Sequence, residues 1–253
     1  MDRLVFNAAA AITEKAQNRQ KMTNELANLS TVGFKKSYDQ VLRSLKSEGD
    51  GFDTRYQVRL YERDLIQLSP GTLIATGRPL DIALEDAAVL RVQAPNGELA
   101  FTRRGDLRVN AQGLLENGAG HVVLGLNGPI TIPPGFEVRI NTDGSVYASD
   151  PAQVGPQAGQ LIDQLVMRDA SATQLARRED GLFQVFGQPR GADIPQGATL
   201  PRLVAQVLEG SNVNAIEAMA KMIDHSRTFE LQIRAIKEAK SLDESGASMM
   251  RQS

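Results

Sequence analysis

The spacing of apolar residues separates the two ends of the chain from its middle. Residues 4–29 and 214–242 contain no glycine or proline, and their apolar positions recur at alternating steps of three and four. Such spacing places the side chains on one stripe of a helix. Both ends are therefore predicted to be amphipathic α-helices, and Ser211 or Asn212, followed by Glu217, is the predicted start of the second one.

The two apolar stripes are a candidate surface for association. An isolated helix is marginal in water without a partner surface, so the stripes are expected to pair as a coiled coil and to pack against further chains. The alternative, left open by periodicity alone, is that the helices simply close one globular fold. The candidate interface residues are Val5, Ile12, Met22, Leu26, Ile216, Met219, Ile223, Phe229, Ile233 and Ile236.

The middle of the chain alternates apolar and polar residues over strand lengths. Turn pairs such as Asn117-Gly118, Asn127-Gly128 and Asp143-Gly144 separate these runs and supply the positive backbone dihedrals of tight hairpins. The middle is therefore predicted to be an antiparallel β domain, with its longest loops at 150–157 and 187–197. The predicted strands are Tyr56–Tyr61, Val89–Ala94, Leu99–Thr102, Leu107–Asn110, His121–Leu124, Ile130–Ile132, Glu137–Ile140, Val146–Ala148, Leu161–Met167 and Leu182–Phe186.

The predicted fold is mainly β with terminal helices: an antiparallel β domain of short strands is inserted between N- and C-terminal α-helices that pair as a coiled coil. The predicted boundaries follow from the changes in pattern. They are 1–35 for the N-terminal helix of a helical assembly domain, 36–75 for an extended connecting segment, 76–200 for the β domain and 201–253 for the C-terminal helix of the assembly domain.

Composition narrows the possible functions. The chain has 253 residues, no cysteine and a formal net charge of -2, which excludes disulfides and argues against nucleic acid as a partner. No stretch is long and apolar enough to span a membrane. The apolar run from Leu4 to Ile12 does not predict a cleaved signal peptide, because Asp2 stands where positive charge is expected and the helical pattern continues beyond it.

The sequence offers little for catalysis. His121 and His225 lie in different predicted segments, no Gly-x-Ser-x-Gly occurs, and no acidic ladder resembles a calcium loop. We predict no catalytic, cofactor-binding or metal-binding residues, no cofactor and no enzymatic activity. Arg103-Arg104 is predicted to be a solvated pair of arginines. The alternative is that Arg103 holds the hairpin around Gly105 or contacts a neighbouring subunit. Asp81 is predicted to be a turn acceptor or an intersubunit partner.

Three separated strings stand out along the chain. They are Asn24 to Lys35, then 77–84 with 101–107 and 128–133, and finally 208–214 with 217–219, 222–223 and 227–230. In this order they resemble the N-terminal signature, the opening of the β domain and the C-terminal helix signature of flagellar rod and hook proteins. Gly33 is expected to end the first helix in the left-handed conformation, with Phe34 packed on its last turn. The residues that carry the resemblance are Asn24, Leu26, Ala27, Asn28, Thr31, Gly33, Phe34, Lys35, Pro79, Leu80, Asp81, Arg103, Gly105, Ser211, Asn212, Val213 and Asn214.

The resemblance implies a structural subunit of the bacterial flagellar basal-body rod. Chain length, the opening Met1-Asp2-Arg3 and the string Arg78-Pro79-Leu80-Asp81 most resemble the proximal-rod members, and a distal-rod or hook-type axial protein is the alternative within the family. A self-contained β-domain binding or adhesion module with a helical stalk is the alternative outside it.

The resemblance also implies how the subunit acts. It would polymerise with copies of itself and with other rod proteins into an axial tube that transmits torque, with the terminal helices inside and the β domain outside. It would lie in the periplasmic rod of the basal body. It would reach the rod through the flagellar export apparatus, without a cleaved signal peptide.

Overall fold

A computed structural model of the protein describes residues 16, 18–38, 42–46, 49–50, 56–60, 65–152, 159–197 and 200–252. In these ranges the chain is mainly β, with one N-terminal and one C-terminal helix, as predicted. Helix α1 covers 18–27 and helix α2 covers Ala215–Gln252. The strands are β1 Leu42–Lys46, β2 Tyr56–Leu60, β3 Leu73–Ala75, β4 Ile82–Leu84, β5 Ala88–Gln93, β6 Leu99–Thr102, β7 Leu107–Val109, β8 Leu115–Asn117, β9 Val122–Gly125, β10 Gly128–Pro129, β11 Glu137–Ile140, β12 Ser145–Ser149, β13 Gln160–Gln164, β14 Met167–Asp169, β15 Leu175–Arg177, β16 Phe183–Val185, β17 Leu203–Ala205 and β18 Val207–Glu209.

The chain divides into two compact units. The helical unit holds α1, the β1–β2 hairpin and α2, and the β unit holds Asn28–Tyr38 and Asp64–Val213. In β1–β2, Leu42 is opposite Leu60 and Lys46 is opposite Tyr56. A hairpin therefore lies in the range predicted as an extended connecting segment.

The largest sheet of the β unit has β5 near its centre. Its strand order is β15-β16-β6-β5-β9-β8-β7, with β10 added to β9 and β14 added to β5, and the described pairs are antiparallel. Because successive side chains of a strand point to opposite faces, Leu90 and Val92 enter one apolar cluster and Val89 enters another, beside Phe101 and Phe183. Both faces of the sheet at β5 are thus covered by apolar side chains.

Three smaller sheets complete the β unit as described. One has the order β11-β12-β13, and the others pair β17 with β4 and β18 with β3. The β17–β4 and β18–β3 pairs join residues before the main hairpins to residues just before α2, because Leu203 lies opposite Leu84 and Glu209 opposite Leu73. The end of the β unit therefore returns to its beginning.

Several predicted strands have different bounds in the structure. The single run predicted at Leu161–Met167 is two strands, because β13 pairs with β12 in one sheet and β14 pairs with β5 in another. Buried Leu165 and Val166 lie at the crossing. The strand predicted at Ile130–Ile132 is instead β10 at Gly128–Pro129, and both isoleucines are core residues beyond its end.

The C-terminal helix begins later than the sequence pattern indicated. Residues 201–213 are predicted to belong to the C-terminal helix, but in the structure they contain β17 and β18 and belong to the β unit. The helix start is Asn214, whose Oδ1 accepts the backbone N–H groups of Ile216 at 3.0 Å and Glu217 at 3.1 Å. Such a cap satisfies donors that the first helical turn leaves free. Ser211 instead accepts the N–H of Val213.

Candidate functional site

Helix α2 carries apolar residues on two different sides. On one side Ala218 and Ala239 are buried, and Met222, Phe229 and Ile236 are half-buried. On the other side Ile216 is 81% exposed, and Met219 and Ile223 are each 55% exposed. The second side is a row of large apolar groups that remains exposed among the residues that the structure describes.

The geometry of the helix explains the separation. An α-helix turns by about 100° per residue, so a shift of two positions, as from Ile216 to Ala218, rotates the side chain by about 200°. The predicted stripe therefore does not lie on one side: it begins among the exposed residues and ends at half-buried Ile233 and Ile236. On α1, Met22 and Leu26 are half-buried. Val5 and Ile12 lie outside the described residues.

A fully buried ionic cluster joins distant parts of the β unit. Glu209, at the end of β18, accepts a hydrogen bond from Lys35 Nζ at 2.6 Å on Oε1 and one from Arg103 Nε at 2.8 Å on Oε2. Oε1 also accepts the backbone N–H of Gly71 at 2.9 Å. The Lys35 ammonium donates a second hydrogen bond to the Ser69 carbonyl at 2.9 Å.

The guanidinium of Arg103 is enclosed by groups of its own chain. Besides Glu209, it donates to the carbonyl oxygens of Leu84 at 2.7 Å, Asp86 at 2.6 Å and Ala88 at 2.9 Å. The prediction that Arg103 belongs to a solvated arginine pair is therefore wrong: the side chain holds the turn between β4 and β5. The planar fork of arginine donors suits this set of acceptors.

Charge in the cluster is unbalanced, because two cations share one carboxylate. Burial and the neighbouring Arg103 lower the pKa of Lys35 to about 8. Burial raises the pKa of Glu209, but hydrogen bonds and positive charge from Arg103 and then Lys35 outweigh it and leave that pKa below its ordinary value. The carboxylate thus stays ionised, and the lysine is the surplus charge.

Asn212 makes a second connection between the same segments. Its Oδ1 accepts the backbone N–H of Lys36 at 2.6 Å, and its Nδ2 donates to the carbonyl oxygens of Gln67 at 2.9 Å and Ser69 at 3.2 Å. These bonds hold the Asn212 amide on the β unit, and the cap of α2 is Asn214.

Gly33 and Phe34 act within the β unit. Gly33 has the predicted left-handed conformation, with φ of +68°. It does not end the helix, however, because α1 ends at residue 27 and the Gly33 N–H donates to the Glu209 carbonyl at 2.7 Å. Phe34 contacts the Arg177 guanidinium, 4.1 Å from the ring centre, and Arg177 also donates to the Lys35 carbonyl.

The family residues around Asp81 form a local turn. Asp81 is buried, accepts a hydrogen bond from Thr76 Oγ1 at 2.6 Å, and lies 3.2 Å from an Arg78 nitrogen without hydrogen-bond alignment, which makes that contact an ion pair. Gly105 allows close approach, because a Cβ there would lie 1.8 Å from the Ile82 carbonyl oxygen. Near α1, Asn28 accepts the Thr31 hydroxyl hydrogen bond at 3.0 Å.

The remaining polar groups do not form a reactive site in the part of the chain that the structure describes. His121 is buried in the β8–β9 turn, burial lowers its pKa, and its backbone N–H donates to Asn117. Among the described residues, no group of three His, Asp or Glu side chains is placed to hold a metal ion. No helix in the described ranges is long and apolar enough to cross a membrane.

Comparison with known proteins identifies the family. The flagellar basal-body rod protein FlgF of Salmonella typhimurium is 35% identical over 239 residues, and that of Escherichia coli is 36% identical over 242 residues, each alignment covering 93% of both chains. The chain belongs to the flagellar basal-body rod protein family. A more distant member of this rod protein family, FlgG of Caulobacter vibrioides, is 26% identical over 257 residues, which cover 92% of this chain and 93% of the relative.

Two family models match separate parts of the chain. The model described as the flagellar hook protein FlgE/F/G D1 domain matches residues 83–148, and the flagellar basal body rod FlgEFG protein C-terminal model matches residues 204–249. The first range contains Arg103, and the second contains Glu209, Asn212 and the exposed apolar row of α2. The comparisons favour the rod protein family over a self-contained adhesion module.

Two of the three members of the ionic cluster, Lys35 and Arg103, are among the residues that carry the family resemblance. The structure brings them together with Glu209, which lies in the C-terminal string without being one of those residues. An acidic residue at the end of the otherwise apolar string Val207-Leu208-Glu209 was the available signal. A buried acid requires a cationic or hydrogen-bonding partner, but the sequence pattern did not show that this position is buried.

Proposed function

We propose that this chain is a structural subunit of the proximal part of the flagellar rod. It polymerises with copies of itself and with other rod proteins into the axial tube that transmits torque, and it has no enzymatic activity. Its family membership and the exposed row formed by Ile216, Met219 and Ile223 support this proposal. The exposed row is the main observation behind the proposal, because large apolar groups on one side of a long helix are expected to be covered by another chain.

Pairing of α1 and α2 as a coiled coil is part of the proposal. Both helices belong to the helical unit, and each has a half-buried apolar side, with Met22 and Leu26 on α1 and Phe229 on α2. In this arrangement those sides pack on each other. The exposed row of α2 then faces neighbouring subunits, so the helical surfaces have two separate partners.

The proposed location is the periplasmic rod of the basal body. The chain would reach it through the flagellar export apparatus. The place in the basal body is supported by the relatives in Salmonella typhimurium and Escherichia coli, which are named basal-body rod proteins. The export route rests on the resemblance of the sequence to the family.

A charge placed in the exposed row tests the assembly surface. Ile223→Asp changes a side chain that is 55% exposed, so the variant is expected to fold and to be produced like the wild type. Burying the new carboxylate against a neighbouring chain is unfavourable, so purified basal bodies should lose this subunit and the cells should lose motility.

The matched control is Ala235→Asp, which adds the same charge at an exposed position on another side of α2. We expect it to leave incorporation and motility near wild type. Normal incorporation of Ile223→Asp would contradict the proposed surface. Equal loss in both variants would show that charge on the helix, and not the apolar row, is what matters.

A further inference from the structure

The chain passes between its two units four times, near residues 28, 38, 64 and 213. Three segments of the β unit adjoin these crossings: 31–38, 65–72 and 207–213. They are far apart in sequence, since Glu209 follows Lys35 by 174 positions. The β unit is thus connected to the rest of the chain through segments from its beginning and its end.

All three segments meet at Glu209. The first segment donates to its carbonyl from the Gly33 N–H at 2.7 Å and to its carboxylate from Lys35 at 2.6 Å. The second segment donates from the Gly71 N–H at 2.9 Å, on the same carboxylate oxygen as Lys35. Space at this point is limited, because a Cβ on Gly71 would lie 2.1 Å from the Gly210 carbonyl oxygen.

The first and second segments also depend on the third through Asn212. Its amide links the Lys36 N–H to the carbonyl of Gln67, and the two segments bond each other directly through Gln67 N–H and the Lys36 carbonyl at 2.8 Å. Without the side chains of residues 209 and 212, what remains are the direct contacts of 31–38 with 65–72 and backbone hydrogen bonds, such as the one from the Gly210 N–H to the Thr72 carbonyl at 2.8 Å. Two buried cations then lose their anion.

We propose that Glu209 is a latch: it orders the segments 31–38, 65–72 and 207–213 as one cooperative group. The segments next to the points where the chain enters and leaves the β unit therefore become ordered together. The physical reason is the burial of Lys35 and Arg103. Removing one partner of a buried ion pair leaves the other charge uncompensated, which strongly favours opening of the surrounding structure. Arg103 also couples Glu209 to the main sheet, because it donates hydrogen bonds to the turn between β4 and β5.

The latch differs from an ordinary stabilising ion pair in its consequence. Because residue 209 comes late in the chain, the Gly33 N–H and the Lys35 ammonium have their acceptors on Glu209 only when the third segment is in place and β18 pairs with β3. A local perturbation at residue 209 should therefore loosen residues that are more than a hundred positions away.

Hydrogen exchange of the full-length protein, followed by mass spectrometry, tests this coupling. Glu209→Gln keeps the shape of the side chain and removes its charge. We expect exchange to accelerate at least tenfold in peptides from all three segments, while peptides from β11 and β12 exchange as in the wild type. Acceleration confined to 207–213 would overturn the proposal.

Two further full-length variants complete the design. Asn212→Ala leaves the ionic cluster intact and removes the second connection, so 31–38 and 65–72 should again accelerate together, by a smaller factor; this keeps the test decisive if Glu209→Gln does not fold. The control is Glu116→Gln, which removes an ion pair that Arg108 makes at 2.8 Å on the β7–β8 hairpin. It should leave the three segments unchanged, and a similar acceleration in the control would overturn the latch.

Discussion

At the scale of single residues, the response of the buried cluster to substitution and pH follows from its charges, because two cations share one carboxylate. Arg103 donates to Glu209 Oε2 at 2.8 Å and Lys35 to Oε1 at 2.6 Å. Burial and the neighbouring Arg103 lower the pKa of Lys35 to about 8, so Lys35 is the cation whose proton is dispensable. Neutral Lys35 still has an N–H to donate to the Ser69 carbonyl. Loss of the lysine charge is therefore expected to be tolerated, unlike loss of the glutamate charge.

This asymmetry predicts how stability depends on pH. The pKa of Lys35 is about 8 in the folded protein and 10.5 as the ordinary value. Below about 8 both states bind the proton, and between the two values the unfolded chain binds more protons, so this residue makes stability rise with pH there. The rise is at most about 3 kcal/mol, from roughly 1.4 kcal/mol per pKa unit. Urea unfolding from pH 7 to 10 should show it in the wild type and not in Lys35→Met; parallel curves for the two proteins would contradict the prediction.

Gly33 gives a second prediction at the residue scale. Gly33 and Gly77 both have positive φ, +68° and +73°, but a Cβ at Gly33 would lie 2.5 Å from the Arg103 backbone, whereas nothing lies within 4 Å at Gly77. Gly77→Ala should cost about 1 kcal/mol for its backbone conformation. Gly33→Ala should cost clearly more, because the Arg103 backbone must also move. Chemical denaturation measures both, and equal losses would show that the close contact is unimportant.

At the scale of elements, the start of α2 depends on a single side chain. Asn214 is the cap, while the preceding polar residues serve the β unit. The substitution Asn214→Ala should destabilise the helix by about 1 kcal/mol and should speed hydrogen exchange at residues 215–219. Ser211→Ala, at the start that the sequence predicted, should leave those amides unchanged. The opposite result would place the start of the helix at Ser211.

At the scale of the whole molecule, the clusters that stabilise the β unit are built from its own residues. Its two apolar clusters, the ionic cluster and Asn212 all lie before residue 214. Deleting residues 214–253 should therefore leave a soluble, cooperatively folded β unit by circular dichroism and thermal unfolding, and abolish binding to partner rod proteins.

A second truncation sharpens this test. Deleting residues 207–253 also removes β18 and Glu209, which leaves Lys35 and Arg103 as buried cations without their anion. We expect this shorter chain to be unfolded. If the chain that ends at residue 213 is unfolded as well, then the helices and the β domain form one globule, which was the alternative that helical periodicity left open.

Local patterns predicted much of the fold. Alternation, together with Asn-Gly and Asp-Gly turns, located Leu99–Thr102 and Glu137–Ile140 with the bounds that the structure has, because these hairpin strands pair with near neighbours in sequence. Short β4, β17 and β18 were missed, since each is only three residues long and pairs with a distant or short partner. Their pairing is decided by tertiary contacts and not by a local period.

The sequence by itself determined the helical ends, the antiparallel β middle and the family, because periodicity and motif strings are local properties. Only the tertiary structure decided that residues 201–213 close the β unit, that Ile216, Met219 and Ile223 face away from the covered side of α2, and that Lys35, Arg103 and Glu209 share one buried site. Burial and ion pairing depend on which distant segments meet, and a linear pattern does not contain that information.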